Sequence, residues 1–305
     1  MTREQAGRFR RLPAAIVCTA SLLAGALASH AAGIDCFASI PPQAYFVEQV
    51  GGSLVNVEIL VAAGQSPATY EPTPQQLTRL ANADVLFTTG VPFESRLLRK
   101  IAADFQTLKI VATQAGITLK AIDRHHSEGH AHEEIFDPHV WLDPALAEIQ
   151  AANICAALIE IDPSNRPVFE RNLDDFTRRL DSVDTVVRQM LAPVRGRAIY
   201  VFHPAYGYFC DAYGLVQAAI EAGGKEPSAR QLAELVERAE RDSVSVIFIQ
   251  PQFSQRQAES VGRAIGAGVQ TLDPLSGDYL NNLVDMATSI ASALGVPPAG
   301  GEAKR

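Results

Sequence analysis

The stretch NRPVFERNLDDFTRRLDSVDTVVRQMLAP, residues 165–193, lies in the middle of the chain and predicts one long helix. Asn165 and Pro167 are typical of a helix start, and Pro193 marks its end. Apolar residues recur at alternating spacings of four and three, which places them on one face of the helix: Phe169, Leu173, Phe176, Leu180, Val183, Val187 and Met190. About 26 residues give a helix of roughly 40 Å, long enough to run along two domains. We therefore predict a linking helix over residues 164–192; a helix inside one domain is the alternative.

Short β-branched runs alternate with helical patterns on both sides of this helix. The predicted strands are residues 34–40, 55–61, 84–89 and 108–112 before it, and 197–202, 215–220, 244–250 and 268–272 after it. Such alternation is typical of parallel βαβ units. We predict an α/β fold of two βα lobes, each with a parallel four-stranded sheet, over residues 32–163 and 193–297, and a disordered tail over 298–305. Ligands of such sheets bind beyond the carboxyl ends of the strands, so facing lobes predict a cleft there.

The first 31 residues have the pattern of a cleaved secretory signal peptide. Four arginines precede an apolar run over about residues 12–28, and Ser29-His30-Ala31 supplies small residues at positions −3 and −1 of a cleavage site after Ala31. The apolar run is too short and too rich in alanine for a membrane anchor. We therefore expect a soluble, exported protein of the periplasm.

The charge of the mature chain argues against nucleic acid as a partner. The full chain has a net charge of −8, and residues 1–31 carry four Arg and one Glu, so the mature charge is −8 − 3 = −11. No basic patch rises above this acidic background, whereas an acidic surplus suits a metal cation or simply aids solubility.

Three cysteines remain after the predicted cleavage: Cys36, Cys155 and Cys210. An oxidising compartment permits one disulfide and a free thiol. The favoured interpretation is that all three are small buried residues.

Three side chains at separate places in the sequence form a candidate metal site. His203 directly follows a predicted strand, Asp273 follows another, and His139 lies in DPHVWLDP beside the only Trp. Two imidazoles and a carboxylate are ligands that zinc prefers. Each residue also has a structural alternative: Asp273 as a cap of the last helix, and Asp137 or Asp143 as a cap of the helix that begins near Pro144.

A second group of histidines lies in a polar run over residues 124–134: His125, His126, His130 and His132. Short His-rich tracts bind metal loosely and at several stoichiometries. A plain solvated loop is the alternative.

Several long motifs, in order along nearly the whole mature chain, resemble one known family: SIPPQAYFVEQVGG, GQSPATYEPTPQQL, DPHVWLDP, FHPAYGYFCDAYGL, GKEPSARQL, VIFIQPQFS and TLDPL. They are similar to those of the ZnuA/TroA-like group, the metal-binding solute-binding proteins of ABC importers. The resemblance implies two α/β lobes joined by a long helix. It also implies zinc, because a His-rich loop just before the DPHVWLDP-like motif is typical of the zinc members.

The resemblance further implies four metal positions. Three of them fall on His139, His203 and Asp273; manganese members tend to have Glu at the position of His203, which favours zinc here. The remaining position falls on Ala68, which has no ligand atom. Glu71, water or a histidine of residues 124–134 are alternative replacements, and fewer imidazoles favour Mn²⁺ or Fe²⁺ somewhat more.

Three functions follow as hypotheses. The favoured one is a monomeric periplasmic protein that captures zinc for the membrane permease and ATPase of an ABC importer. In the second, only the His-rich run matters and the protein is a zinc buffer or chaperone. The third is a zinc hydrolase with Glu71 as its base, but the chain has no HExxH-like motif.

Overall fold

Both predicted sheets are present in the computed structural model, which describes residues 33–121, 136–221 and 228–296. The first lobe contains β1 (Ile34–Ala38), α1 (Pro41–Gly51), β2 (Val55–Ile59), α2 (Pro74–Leu80), β3 (Val85–Thr88), α3 (Pro92–Ile101), β4 (Lys109–Ala112) and α4 (Pro144–Ile161). Its four strands are parallel in the order β2-β1-β3-β4. Prolines begin all four helices, where a missing N–H costs nothing.

The second lobe repeats this arrangement after the linking helix α5 (Arg166–Leu191). It contains β5 (Ala198–Val201), α6 (Gly207–Tyr213), β6 (Val216–Ala219), α7 (Ala229–Arg241), β7 (Val246–Ile249), α8 (Gln255–Ile265), β8 (Gly268–Thr271) and α9 (Tyr279–Ala293). The strand order β6-β5-β7-β8 is the counterpart of that in the first lobe, and all pairs are parallel. The predicted α/β fold with two parallel four-stranded sheets is confirmed.

The linking helix contacts helices of both lobes. α5 packs against α1 and α4 of the first lobe and against α6 and α9 of the second. Its predicted apolar face is buried or packed against the core, with Phe169, Phe176 and Leu180 fully inaccessible. The alternative of a helix inside one domain is therefore wrong.

One hydrophobic core continues from the first sheet through α5 to one face of the second sheet. A smaller cluster covers the other face of the second sheet, where α7 and α8 pack. All described residues belong to one compact unit, Ala32–Arg305. A shared core of this kind joins the lobes firmly, because moving one lobe exposes apolar surface of the other.

Helix α4 lies within this core. Among the described residues it is the one helix long and apolar enough to cross a membrane, and half of its 18-residue window is buried inside the protein. Its buried side contributes Ala147, Ala151, Ile154 and Leu158. Tertiary packing therefore accounts for its composition.

The cysteines of the described residues are free thiols. Cys36, Cys155 and Cys210 are all buried, so the prediction of small buried residues is confirmed and the alternative of one disulfide is wrong. The predicted signal peptide (1–31), the His-rich run (124–134) and the tail (298–305) lie outside the described residues. The exact domain boundaries stay predictions.

Candidate metal site

His139 is held by the carboxylate two residues before it. Both its backbone N–H (3.0 Å) and its ring Nδ1 (2.6 Å) contact Asp137 Oδ1. The side chain of His139 is 15% exposed and that of Asp137 is 9% exposed, so the contact is largely shielded from water. A carboxylate on Nδ1 favours the tautomer that carries the proton there, which leaves the Nε2 lone pair for a metal.

Asp137 was also a candidate helix cap, and that interpretation is wrong. Helix α4 is capped by Asp143, whose side chain accepts a hydrogen bond from Ala145 N (3.0 Å). The Asp137 carboxylate instead contacts the backbone N–H and the ring of His139.

His203 is held in the same way in the second lobe. It lies two residues beyond β5, and its Nδ1 contacts the carboxylate of Glu221, which lies two residues beyond β6. The Glu221 side chain is only 4% exposed. Gln250 holds the backbone of His203 on both sides: it accepts from His203 N (3.3 Å) and donates to His203 O (2.8 Å).

The two imidazoles, one from each lobe, lie close together. Their ring centroids are 5.5 Å apart and the rings are nearly perpendicular, at 71°. Phe253 stacks on His203 at 5.1 Å, and Trp141 lies 5.2 Å from His139. Each histidine thus has an Nδ1 bound to a carboxylate and an aromatic neighbour that restricts its ring. This arrangement suits two neutral Nε2 ligands of one metal ion.

Asp273 lies two residues beyond β8, on the loop that leads to α9. Its Oδ1 accepts hydrogen bonds from Leu275 N (2.9 Å) and Gln252 Nε2 (3.3 Å), and its carbonyl accepts from Asn282 Nδ2 (2.7 Å). The N-cap residue of α9 is Asp278, so the alternative that Asp273 caps this helix is wrong.

A hydrogen bond across the lobes joins the segments of His139 and Asp273. The indole Nε1 of Trp141 donates to Pro274 O at 2.7 Å, and Tyr279 Oη donates to Trp141 O at 2.5 Å. Both aromatic rings are buried. The segment that contains His139 is therefore tied to the loop that contains Asp273.

Residue 68, the implied metal position that has no ligand atom in this chain, is at the surface. Ala68 is exposed, and its N–H donates to Ser66 Oγ (3.3 Å). Glu71 is exposed as well. The four histidines of residues 124–134 lie outside the described residues. Their auxiliary role and that of Glu71 stay predictions.

Within residues 33–121, 136–221 and 228–296, no three His, Cys, Asp or Glu side chains converge closely enough to hold a metal ion. The structure therefore brings His139 and His203 together, whereas a site that also includes Asp273 stays a prediction.

Sequence reasoning missed the roles of Asp137 and Glu221. Glu221 follows a predicted strand end in the same way as His203 and Asp273, and this position was the signal that pointed to it. For Asp137, the spacing Asp-Pro-His was the available signal: a short acidic side chain two residues before a histidine can contact both its N–H and its ring.

Comparison with known proteins agrees with this fold. The model of the family ZnuA, "Zinc-uptake complex component A periplasmic", matches residues 36–293. The chain belongs to this family. Its members are components of zinc uptake rather than enzymes.

Three similar proteins illustrate the relationship. The zinc-binding lipoprotein AdcA of Streptococcus pneumoniae is 30% identical over 240 residues, which cover 75% of this chain but 48% of AdcA. The chain thus spans about half of AdcA. ZnuA of Yersinia pestis, a high-affinity zinc uptake system protein, is 26% identical over 312 residues, 93% of this chain and 98% of that protein. The crystal structure of a ZnuA deletion mutant with zinc bound superposes with a TM-score of 0.80 at 39% identity, covering 87% of this chain and 100% of that chain.

Proposed function

We propose that this protein captures zinc in the periplasm and delivers it to the membrane permease and ATPase of an ABC importer. The observation that carries the proposal is the close pair of imidazoles, His139 and His203, each with its Nδ1 on a carboxylate. Periplasmic location rests on the predicted signal peptide and on the family description. We propose a monomer as the working unit, since both proposed imidazole ligands come from one chain and the site needs no second copy.

We propose His139, His203 and Asp273 as the protein ligands of the captured ion. Two imidazole nitrogens and one carboxylate oxygen form a donor set that favours zinc over harder cations such as Mn²⁺. The zinc-binding relative AdcA and the zinc-bound ZnuA mutant support this choice. Mn²⁺ or Fe²⁺ is the alternative cargo.

The fourth ligand position is proposed to be filled by something other than residue 68. Water, the carboxylate of Glu71 or a histidine of residues 124–134 are the candidates, since a methyl side chain binds no metal. A buffer or chaperone that binds zinc only through residues 124–134 is the competing function, and Ala68 is the observation that favours it.

A competition titration separates these functions. Zinc is titrated into residues 32–305, with and without residues 124–134, against a chelator of known affinity. In an importer-type protein, His203→Ala strongly weakens tight zinc binding when residues 124–134 are present. A tight site that survives the deletion then indicates water or Glu71 as the fourth ligand, and a site lost on deletion indicates a histidine of residues 124–134.

Asp242→Asn is the matched control and is expected to bind zinc like the parent. It alters a carboxylate that accepts a hydrogen bond from Tyr200 Oη, on the face of the second sheet that α7 covers. Loss of all tight binding on deletion, together with parental affinity of His203→Ala in the undeleted protein, means that the protein is a buffer.

A further inference from the structure

The two ends of the segment between residues 121 and 136 are joined by a compact set of hydrogen bonds. Asp137 N donates to Lys120 O at 2.8 Å, and Ala121 and Phe136 form an antiparallel bridge. Tyr208 of α6 inserts its hydroxyl from the other lobe: Lys120 N donates to Tyr208 Oη (2.9 Å), and this hydroxyl donates to Asp137 O (3.2 Å). We call the pair of segments 120–121 and 136–137 the stem. One side chain of the second lobe, that of Tyr208, thus bonds to both segments of this stem in the first lobe.

The Tyr208 hydroxyl has no easy substitute at this place. Tyr208 is 3% exposed and Asp137 is 6% exposed, so water has little access to the Asp137 carbonyl, whereas Lys120 is half-buried. The ring is also held from its face, because Lys120 Nζ lies 4.7 Å above its centroid and contacts the Asp211 carboxylate. Loss of the hydroxyl leaves the buried Asp137 carbonyl without a donor and the half-buried Lys120 N–H without its acceptor, which favours a displacement of the stem.

Such a displacement reaches the metal site through Asp137. Its carbonyl is held by Tyr208, and its Oδ1 holds both the N–H and the ring of His139. Its other oxygen packs against the first residue of α6: a Cβ on Gly207 would lie 3.1 Å from Asp137 Oδ2. Asp137 is therefore placed between α6 and His139 with little room to move.

We infer that Tyr208 is a positioning residue for zinc capture: its hydroxyl fixes Asp137, and Asp137 aims the His139 imidazole at the ion. The inference rests on the proposed function. Zinc–nitrogen bonds are about 2.0–2.1 Å long, so a shift of a few tenths of an ångström in His139 weakens the bond. Tyr208 acts through Asp137 and does not touch the ion itself.

The test compares two variants that each lose one buried tyrosine hydroxyl. Tyr208→Phe removes the hydroxyl at the stem. Tyr200→Phe removes one that donates to Asp242 Oδ2 at 2.7 Å in the same lobe, on a ring that is 1% exposed. We expect Tyr208→Phe to weaken zinc binding about tenfold in chelator competition, at the lower end of the range for groups that orient a metal ligand. Tyr200→Phe is expected to stay within twofold of the parent. The absorption bands of bound Co²⁺ shift in Tyr208→Phe alone.

A double-mutant cycle with His139→Ala shows whether the effect passes through His139. We expect Tyr208→Phe to change the affinity less than twofold when His139 is absent. An equal loss in both backgrounds, or parental affinity of Tyr208→Phe, overturns the inference while the proposed function stands. Failure of the proposed function is distinct, because His139→Ala alone then binds zinc like the parent. Gly207→Ala displaces the Asp137 carboxylate independently and is expected to show the same dependence on His139, should Tyr208→Phe fold poorly.

Discussion

Trp141 and Pro274 join two proposed ligand segments from different lobes, through a hydrogen bond of 2.7 Å from the indole N–H to the proline carbonyl. Trp141 lies two residues after His139, and Pro274 directly follows Asp273. Because Trp141 is 1% exposed, this bond is shielded from competing water. The spacing between the two segments is thus set by a buried contact before any ion arrives.

Trp141→Phe tests this contact. The variant keeps an aromatic ring but leaves Pro274 O without its donor, which is expected to cost about 1–3 kcal/mol of unfolding free energy. Zinc affinity is expected to fall as well, because the segments of His139 and Asp273 are no longer tied. Urea denaturation and chelator competition measure the two effects. Parental affinity in a destabilised variant would show that the bond contributes to folding alone.

The carboxylate partners of the histidines are expected to control zinc affinity. Asp137→Asn and Glu221→Gln each replace the acceptor for an Nδ1–H by a group that can present a donor instead. We expect each to lower the affinity about 10–100-fold. Asp242→Asn is the control, since it alters a carboxylate that bonds to Tyr200 Oη. The account of the site is contradicted if the control and the two site variants bind zinc equally well.

The single tryptophan provides a direct optical signal for the ion. The chain has one Trp, and its ring lies 5.2 Å from that of His139. Zinc binding to His139 changes the electrostatic field around this imidazole and restricts its motion. The fluorescence emission of Trp141 is therefore expected to change and to reach its limit when each protein molecule holds one ion at this site. His139→Ala should abolish the change. A signal that persists in this variant would place the ion elsewhere.

A buried acid in the first lobe predicts a pH-dependent stability. Burial raises the pKa of the Glu94 carboxyl from 4.5 to about 7, although Thr89 N and Gly90 N donate to it. Because the folded-state pKa exceeds the unfolded value, the stabilising contribution is complete below about pH 4.5 and is lost as the pH rises towards 7. Over this range the loss amounts to about 3 kcal/mol.

Glu94→Gln removes this titration. We therefore expect the substitution to be more destabilising at pH 5 than at pH 8, as measured by urea denaturation of both proteins across that range. A difference in unfolding free energy that does not vary with pH would contradict the assignment.

The three buried thiols are expected to resist modification in the folded protein. Burial raises the pKa of both Cys36 and Cys210 to about 12, and burial also raises the pKa of Cys155. Thiolate is the reactive form, so iodoacetamide at pH 8 should label native protein slowly and unfolded protein at all three positions. Mass spectrometry counts the labels. Rapid labelling of native protein at Cys36 would contradict its placement in the core.

The sequence was sufficient for the architecture because the relevant patterns are local. The helix of residues 166–191 follows from a regular apolar face, and each strand follows from a short β-branched run. The strand-end rule located His203 and Asp273. These local rules do not predict contacts between residues that are distant in the sequence. The 5.5 Å between the ring centroids of His139 and His203, and the hydrogen bond from Trp141 to Pro274, depend on how the lobes pack.

The partners of the histidines show the same limit. Asp137 looked equally suitable as a helix cap, and only the observed hydrogen bonds assign that role to Asp143 and give Asp137 to His139. Local sequence offered two acidic residues before one helix and no means to choose between them.

The central claim is that His139 and His203 bind the ion together with Asp273. Anomalous diffraction at the zinc absorption edge, from crystals of the zinc-loaded protein, tests it most directly. We predict one strong peak about 2.0–2.1 Å from Nε2 of both histidines and at a similar distance from a carboxylate oxygen of Asp273. A strong peak bound by other residues, with His139 and His203 left without metal, would contradict the account.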